Sequence, residues 1–119
     1  HKILMLTIRG GKQHERRIAQ TTIDWAISNL SLEDHTFSLR LVIQALDDYY
    51  GECLPDKKPN TFVIRLNTNM TIRDFVSTLI HEMIHVRQYL EDTWTHDGER
   101  ECGELEMFLT DELWRSGLI

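Results

Sequence analysis

The sequence has few cysteines, and their positions form no familiar site. Among the 119 residues only Cys53 and Cys102 are cysteines, and no CxxC spacing or short-range pairing relates them. A disulfide framework or a thiolate zinc site needs more cysteines at closer spacing. We therefore expect two reduced cysteines in a cytoplasmic protein.

Long apolar runs and an excess of basic residues are also missing. No stretch without a charged residue exceeds eight residues, whereas a membrane-spanning helix needs about 20 apolar residues. The first residues lack the pattern of a targeting signal. Lys and Arg number 13 against 19 Asp and Glu, for a net charge of -6, and phosphate backbones bind to concentrated positive surfaces. We expect neither a membrane nor a nucleic acid as the main partner.

What is present indicates one folded domain. The 41% hydrophobic and 27% charged residues are close to the averages of globular proteins. A chain of this length supports one hydrophobic core but not two domains with a linker. We therefore expect residues 1–119 to form a single domain.

The periodicity of apolar residues predicts the order strand, helix, strand, strand, helix, helix. Apolar or alternating runs predict strands over 2–8, 35–43 and 61–66, and a period near 3.6 predicts helices over 13–30, 71–90 and 99–114. Thr71 and Asp74 fit a capping box at the start of the second helix. Gly51, Pro55 and Pro59 predict a connection between 47 and 60. The expected fold is α+β, with a small mixed sheet packed on the helices.

The most informative residues are His81-Glu82-Met83-Ile84-His85, an H-E-x-x-H sequence inside the predicted long helix. Residues four apart project from one helix face, so His81 and His85 can bind one metal ion. Two imidazoles suit zinc, which activates water and polarises a carbonyl group, and Glu82 is placed to take the proton from that water. The motif predicts one catalytic Zn²⁺ and hydrolysis of peptide bonds.

A catalytic zinc site usually has three protein ligands, so a third must come from beyond this helix. The Gly and His that continue the motif in metzincins are absent, because Gln88 and Glu91 occupy those positions. The candidates are His96 in the following turn and the acids of the last helix (Glu99, Glu101, Glu104 and Glu106). Glu104 is favoured because Gly103 beside it would allow close helix packing, and Glu101 lies one turn earlier.

The segment Thr78-Leu-Ile-His81-Glu82-Met-Ile-His85-Val-Arg-Gln88 resembles the active-site helix of small zincin metallopeptidases. Residues 104–108 resemble the segment that supplies the glutamate ligand in minimal gluzincins and in the ImmA/IrrE group. This resemblance implies Glu104 as the ligand and places Glu106 where those proteins have an orienting Asp or Asn. SprT-like peptidases are the competing relatives, in which a histidine after the helix is the third ligand; His96 would fill that role.

The resemblance also implies an architecture and a set of functions. Zincins have an edge strand that lines the cleft and pairs with extended substrate, and residues 61–66 are the candidate, although an internal strand is equally compatible. The implied function is a zinc metalloendopeptidase that acts on a peptide or protein, with a further protein partner possible. The alternatives are a SprT-like peptidase and a zinc-stabilised binding or regulatory module without useful turnover.

Overall fold

The computed structural model describes residues 3–93 and 98–119, which form a mixed α+β fold. Four strands and three helices follow one another along the chain: β1 (Ile3–Gly10), α1 (Gln13–Asn29), β2 (Phe37–Gln44), β3 (Gly51–Pro55), β4 (Thr61–Asn67), α2 (Ile72–Glu91) and α3 (Gly98–Ser116). A short 3₁₀ turn, Leu32–Asp34, precedes β2. Among the described residues, none of the helices combines the length and apolar character that crossing a bilayer requires.

The strands form one sheet in the order β1-β2-β4-β3. The β1–β2 and β2–β4 pairs are parallel, and β3 pairs antiparallel with β4 in a hairpin. Helix α1 connects the parallel strands β1 and β2, as a parallel connection requires. The α+β class and the mixed sheet are therefore confirmed.

Strand β3 was missed at the sequence level, and of the two positions left open for residues 61–66, the edge strand beside the cleft or an internal strand, the structure has the internal one. Strand β4 lies inside the sheet, between β2 and β3, so β3 is the edge strand next to α2. The segment 47–60 contains prolines and glycine, which favour a loop, but Pro55 ends β3 at the sheet edge, where a missing N–H is tolerated.

The helices cover one face of the sheet. Residues of β2 alternate between buried and more exposed positions, and the buried ones join a single core with α1 and α2. That core includes Ala19, Ile23, Leu39, Leu41, Ile64, Leu79 and Ile80. The opposite face of the sheet carries the alternating polar residues, as expected for a sheet with one covered side.

Helix α2 begins at a well-formed cap, which places the H-E-x-x-H residues two turns into the helix. The Asp74 N–H donates to the Thr71 hydroxyl at 3.1 Å, which satisfies one of the free donors of the first turn. Val76, Leu79, Ile80, Met83 and Ile84 are fully buried. This packing fixes the helix rotation, so His81 and His85 lie on the side that faces α3.

Candidate metal centre

The two motif histidines converge at their Nε2 atoms. The distance between His81 Nε2 and His85 Nε2 is 3.2 Å, and the two rings meet edge to face with centroids 4.8 Å apart. Two imidazole nitrogens on one tetrahedral zinc ion, each about 2.0–2.1 Å from it, lie about 3.3 Å from each other. The observed separation therefore fits two ligands of one ion.

The other nitrogen of each ring is held by an oxygen acceptor. The His81 Nδ1 lies 2.8 Å from the Glu106 carboxylate, and His85 Nδ1 lies 2.8 Å from Gln88 Oε1. The Gln88 amide nitrogen donates to the Gly98 carbonyl at 3.1 Å and to a carboxylate of α3 at 2.8 Å. This assigns the amide oxygen to the His85 side, so both Nδ1 atoms carry the proton. The tautomers that follow direct each Nε2 lone pair at the shared point.

A carboxylate from α3 occupies the same point. Glu99 Oε1 lies 2.7 Å from His85 Nε2, and Glu99 Oε2 lies 3.2 Å from His81 Nε2. Glu99 is in the first turn of α3, and its side chain is 66% exposed, whereas His85 is buried. The carboxylate therefore closes the solvent side of the two rings.

Cys102 lies on the inner side of the histidines. Its Sγ is 3.4 Å from His85 Nδ1, and its thiol donates to the His81 carbonyl oxygen at 3.4 Å. The ligand atoms of His81, His85 and Cys102 all lie within 4.8 Å of one another, so these residues form a group that can hold a metal ion. Burial, followed by the negative charge of Glu99 and of nearby carboxylates, raises the pKa of the Cys102 thiol.

Glu82 lies beside this group at a narrow cleft. The cleft has a volume of about 240 Å³ and is lined by Tyr50, Gly51, Thr78, His81, Glu82 and Glu106. Glu82 is only 5% exposed, and burial raises its pKa to about 7, against a lowering by His81 and together with a smaller raising by Glu99. A carboxyl group with a pKa near neutrality can both accept and return a proton.

Gly51 sets how closely the edge strand approaches α2. A Cβ atom at this position would lie 2.8 Å from Thr78 Cγ2 and 2.9 Å from the Arg65 carbonyl oxygen. These distances are shorter than ordinary van der Waals contact, so a side chain here would push β3 away from the helix. The glycine that favoured a loop in the sequence therefore positions the strand at the cleft.

The structure does not bring Glu104 to the histidines. Its side chain is 74% exposed and lies 3.6 Å from Arg100, and Gly103 has no neighbour within 4 Å of an added Cβ. The physical reason is helix phase: at about 100° per residue, positions 99, 102 and 106 share one face, and position 104 lies about 140° from Glu99. The favoured third ligand therefore lies on the wrong side of α3.

Glu101, Glu106 and His96 are the remaining candidates for the third ligand. Glu101 accepts a hydrogen bond from Gln88 Nε2 at 2.8 Å and lies 3.9 Å from Arg87, so it supports the orienting amide. Glu106 Oε1 lies 2.8 Å from His81 Nδ1 and orients that ring. His96 lies outside the described residues. The spacing of Glu99, Cys102 and Glu106 along one face of α3 is the signal that could have identified Glu99.

In comparisons with protein-family models, with curated proteins and with solved structures, nothing matches the chain. The interpretation of the site therefore depends on its own geometry.

Proposed function

We propose that the protein is a zinc-dependent metallopeptidase in which His81, His85 and Glu99 hold the metal and Glu82 is the general base. One observation carries this proposal: two Nε2 atoms and a carboxylate converge within 2.7–3.2 Å, while both Nδ1 atoms are engaged elsewhere. Three groups that present lone pairs to one point repel one another unless a cation lies between them.

The donor set favours zinc over other cations. Two neutral imidazoles and one carboxylate are a common zinc set, and catalytic sites keep a further position open. Each imidazole also has an acceptor at Nδ1, which is typical of histidines that bind a metal.

When bound, zinc would act as a Lewis acid that polarises the carbonyl group of the substrate. Glu82 takes the proton from a water molecule in the cleft and returns it to the amine that leaves. In the metal-free protein, its buried position raises the pKa of Glu82 to about 7. Tyr50 lines the same cleft and is 59% exposed, within reach of an incoming chain.

The edge strand supports an extended peptide as the substrate. Strand β3 pairs on one side with β4, and its first residue, Gly51, lines the cleft. The outer edge of such a strand offers main-chain groups to an added strand, which gives affinity with little dependence on sequence. A peptide bound there would pass the Glu82 side of the metal group.

A second candidate function follows from Cys102. If its thiolate joined His81, His85 and Glu99 on zinc, the four ligands would close the site, as in structural zinc centres. The Sγ position within the metal-holding group favours this reading. The protein would then be a zinc-stabilised binding or regulatory module.

Single substitutions on α3 test the proposal, because this helix offers a matched control. Glu99→Gln should weaken zinc affinity by about tenfold or more and abolish hydrolysis of a peptide library. Glu104→Gln removes an exposed carboxylate one turn further along and should change neither. Cys102→Ala should retain zinc and activity; weaker zinc binding in both Cys102→Ala and Glu99→Gln, with no hydrolysis by the parent protein, would favour the closed four-ligand site instead.

A further inference from the structure

The face of the sheet that no helix covers carries a groove of about 480 Å³. Exposed side chains of β1 and β2 form its floor, with Thr7 paired in register with Arg40 and Met5 with Ser38. The turn between β3 and β4 forms one wall. The groove is lined by Met5, Thr7, Arg9, Ser38, Leu39, Arg40, Asp56, Lys57, Lys58 and Thr61.

The charge of this groove is opposite to that of the whole protein. Four cationic side chains line it, those of Arg9, Arg40, Lys57 and Lys58, against the single carboxylate of Asp56. The chain as a whole has a net charge of -6. The cationic residues are exposed, so this positive potential faces solvent.

Most of these cationic side chains have no ion-pair partner among the described residues. Asp56 lies 3.7 Å from Arg40, and within residues 3–93 and 98–119 no ion pair involves Arg9, Lys57 or Lys58. Like charges gathered around one groove repel one another, and an anionic ligand would relieve that repulsion.

The groove is separate from the metal centre. Apart from Leu39, which is buried in the core, the groove residues of β2 alternate with buried residues, so Ser38 and Arg40 lie on the side of the sheet away from the helices. Their partners in β1, Met5 and Thr7, share that side, opposite to His81 and Glu82. A ligand in the groove would leave the cleft beside Gly51 open. Occupation of the groove and hydrolysis at the metal centre can therefore occur together.

We propose that this groove is a docking site for an acidic, extended peptide segment of a partner protein. Arginine and lysine pair with carboxylates at its rim, the hydroxyls of Thr7, Ser38 and Thr61 offer further hydrogen bonds, and Met5 provides an exposed apolar surface (63% exposed). Such a mixed lining suits a segment in which acidic side chains alternate with small or apolar ones.

The same features disfavour a nucleic acid. None of the lining residues is aromatic, whereas single-stranded binders stack bases on aromatic rings. A concave sheet face does not enter the major groove of a duplex, which is read by a protruding helix or ribbon. A long polyanion would also extend beyond the groove onto a protein of net charge -6, where a short acidic peptide would not.

Fluorescence anisotropy tests the proposal with a labelled peptide of about ten residues in which glutamate alternates with serine or leucine. The comparison probes are the same peptide with glutamine for glutamate, a short oligo-dT strand and a short DNA duplex. The groove variant is Arg9→Gln/Lys57→Gln/Lys58→Gln. The matched control, Arg17→Gln/Arg100→Gln/Arg115→Gln, changes the net charge equally at exposed positions elsewhere, and thermal melting checks that both variants fold.

We expect the acidic peptide to bind with a dissociation constant of ~10–100 μM, weakening as salt is added. The groove variant should bind the acidic peptide about tenfold or more weakly than the parent protein, whereas the control variant should weaken binding less than about twofold. The glutamine peptide should not bind the parent protein. Equal losses in both variants, tighter binding of either DNA probe, or no binding of the acidic peptide would each overturn the proposal. The readout does not depend on zinc or hydrolysis, so its failure would be distinct from failure of the proposed peptidase function.

Discussion

Two glutamates have the same small exposed fraction in this protein, and their surroundings shift their pKa values in opposite directions. Glu15 and Glu82 are both 5% exposed. Burial raises the pKa of Glu15, but hydrogen bonds from the Lys12 N–H, the Thr68 hydroxyl and the Asn69 N–H outweigh it and hold the pKa below its ordinary value. No described residue donates such a bond to Glu82, and its pKa rises to about 7.

This difference gives Glu15 a structural role, whereas Glu82 can accept and return a proton. Glu15 ties the start of α1 to the loop before α2, and its charge is fully compensated by donors. Glu82 is buried next to His81 and His85 with its proton affinity left high. The exposed fraction is the same for both, but more protein surrounds Glu82, so it loses more hydration than Glu15 and also lacks the donors that Glu15 has; both differences account for the contrast.

The comparison predicts its largest effect in catalysis. Glu82→Gln should lower peptidase turnover by about 10²–10⁴-fold while zinc remains bound, because the amide cannot accept the proton. Glu15→Gln should change turnover per folded molecule little. Steady-state kinetics with zinc content measured on the same samples provides the check, and near-normal turnover in Glu82→Gln would remove the general-base role.

A second prediction concerns the histidines rather than the carboxylates. Gln88→Met removes the acceptor at His85 Nδ1 and should lower zinc affinity about 10–100-fold, because the ring loses its fixed tautomer and orientation. Competition with a fluorescent zinc chelator measures the affinity. Glu104→Gln is the control, and an unchanged affinity in Gln88→Met would mean that the amide does not orient the ring.

The third prediction tests the structural carboxylate. Glu15→Gln should destabilise the protein by about 1–3 kcal/mol at neutral pH, because strong donors lose an ionised acceptor. The folded pKa lies below the unfolded one, so the stabilisation is present above the unfolded pKa and disappears as pH falls through the folded pKa. Urea unfolding across pH should show the two proteins converging in acid; a difference that grew in acid would contradict this.

The last expected effect has the opposite sign. In metal-free protein the pKa of Glu82 rises from its ordinary value near 4.5 to about 7 on folding, so stability falls as pH rises between those values. Glu82→Gln should therefore be more stable than the parent at pH ~8, by up to the ~3 kcal/mol that a shift of this size corresponds to. At pH ~4 the two should be similar. Equal stability at both pH values would show that folding does not change the proton affinity of Glu82.

The positions of the site residues could be predicted from the sequence for α2 but not for α3. The buried positions of α2 repeat strongly, so the rotation of the helix and the placement of His81, Glu82 and His85 followed from their spacing. Residues 91–112 contain nine acids and one basic residue. Many rotations of such a helix about its axis would leave acids exposed to solvent, so the acids do not predict which rotation occurs. The packing of Cys102 and Leu109, not the acids, fixes which acid meets the histidines.

The edge strand shows a second limit of sequence reasoning. Gly51 and Pro55 favour a loop locally, but both suit a short strand at a sheet edge, where a tight approach to α2 and a missing donor are tolerated. Strand β4 was recognised, yet its position inside the sheet depends on β3 pairing beside it. The local strand propensity of these residues does not predict that long-range pairing.

X-ray absorption at the zinc edge of the zinc-loaded protein distinguishes an open catalytic site from a closed structural one. An open site predicts one zinc ion per chain with nitrogen and oxygen neighbours at about 2.0–2.1 Å, including two imidazoles from His81 and His85, and no sulfur. A sulfur neighbour at about 2.3 Å would place Cys102 on the metal and contradict the open catalytic site. Failure to load stoichiometric zinc would contradict the metal centre altogether.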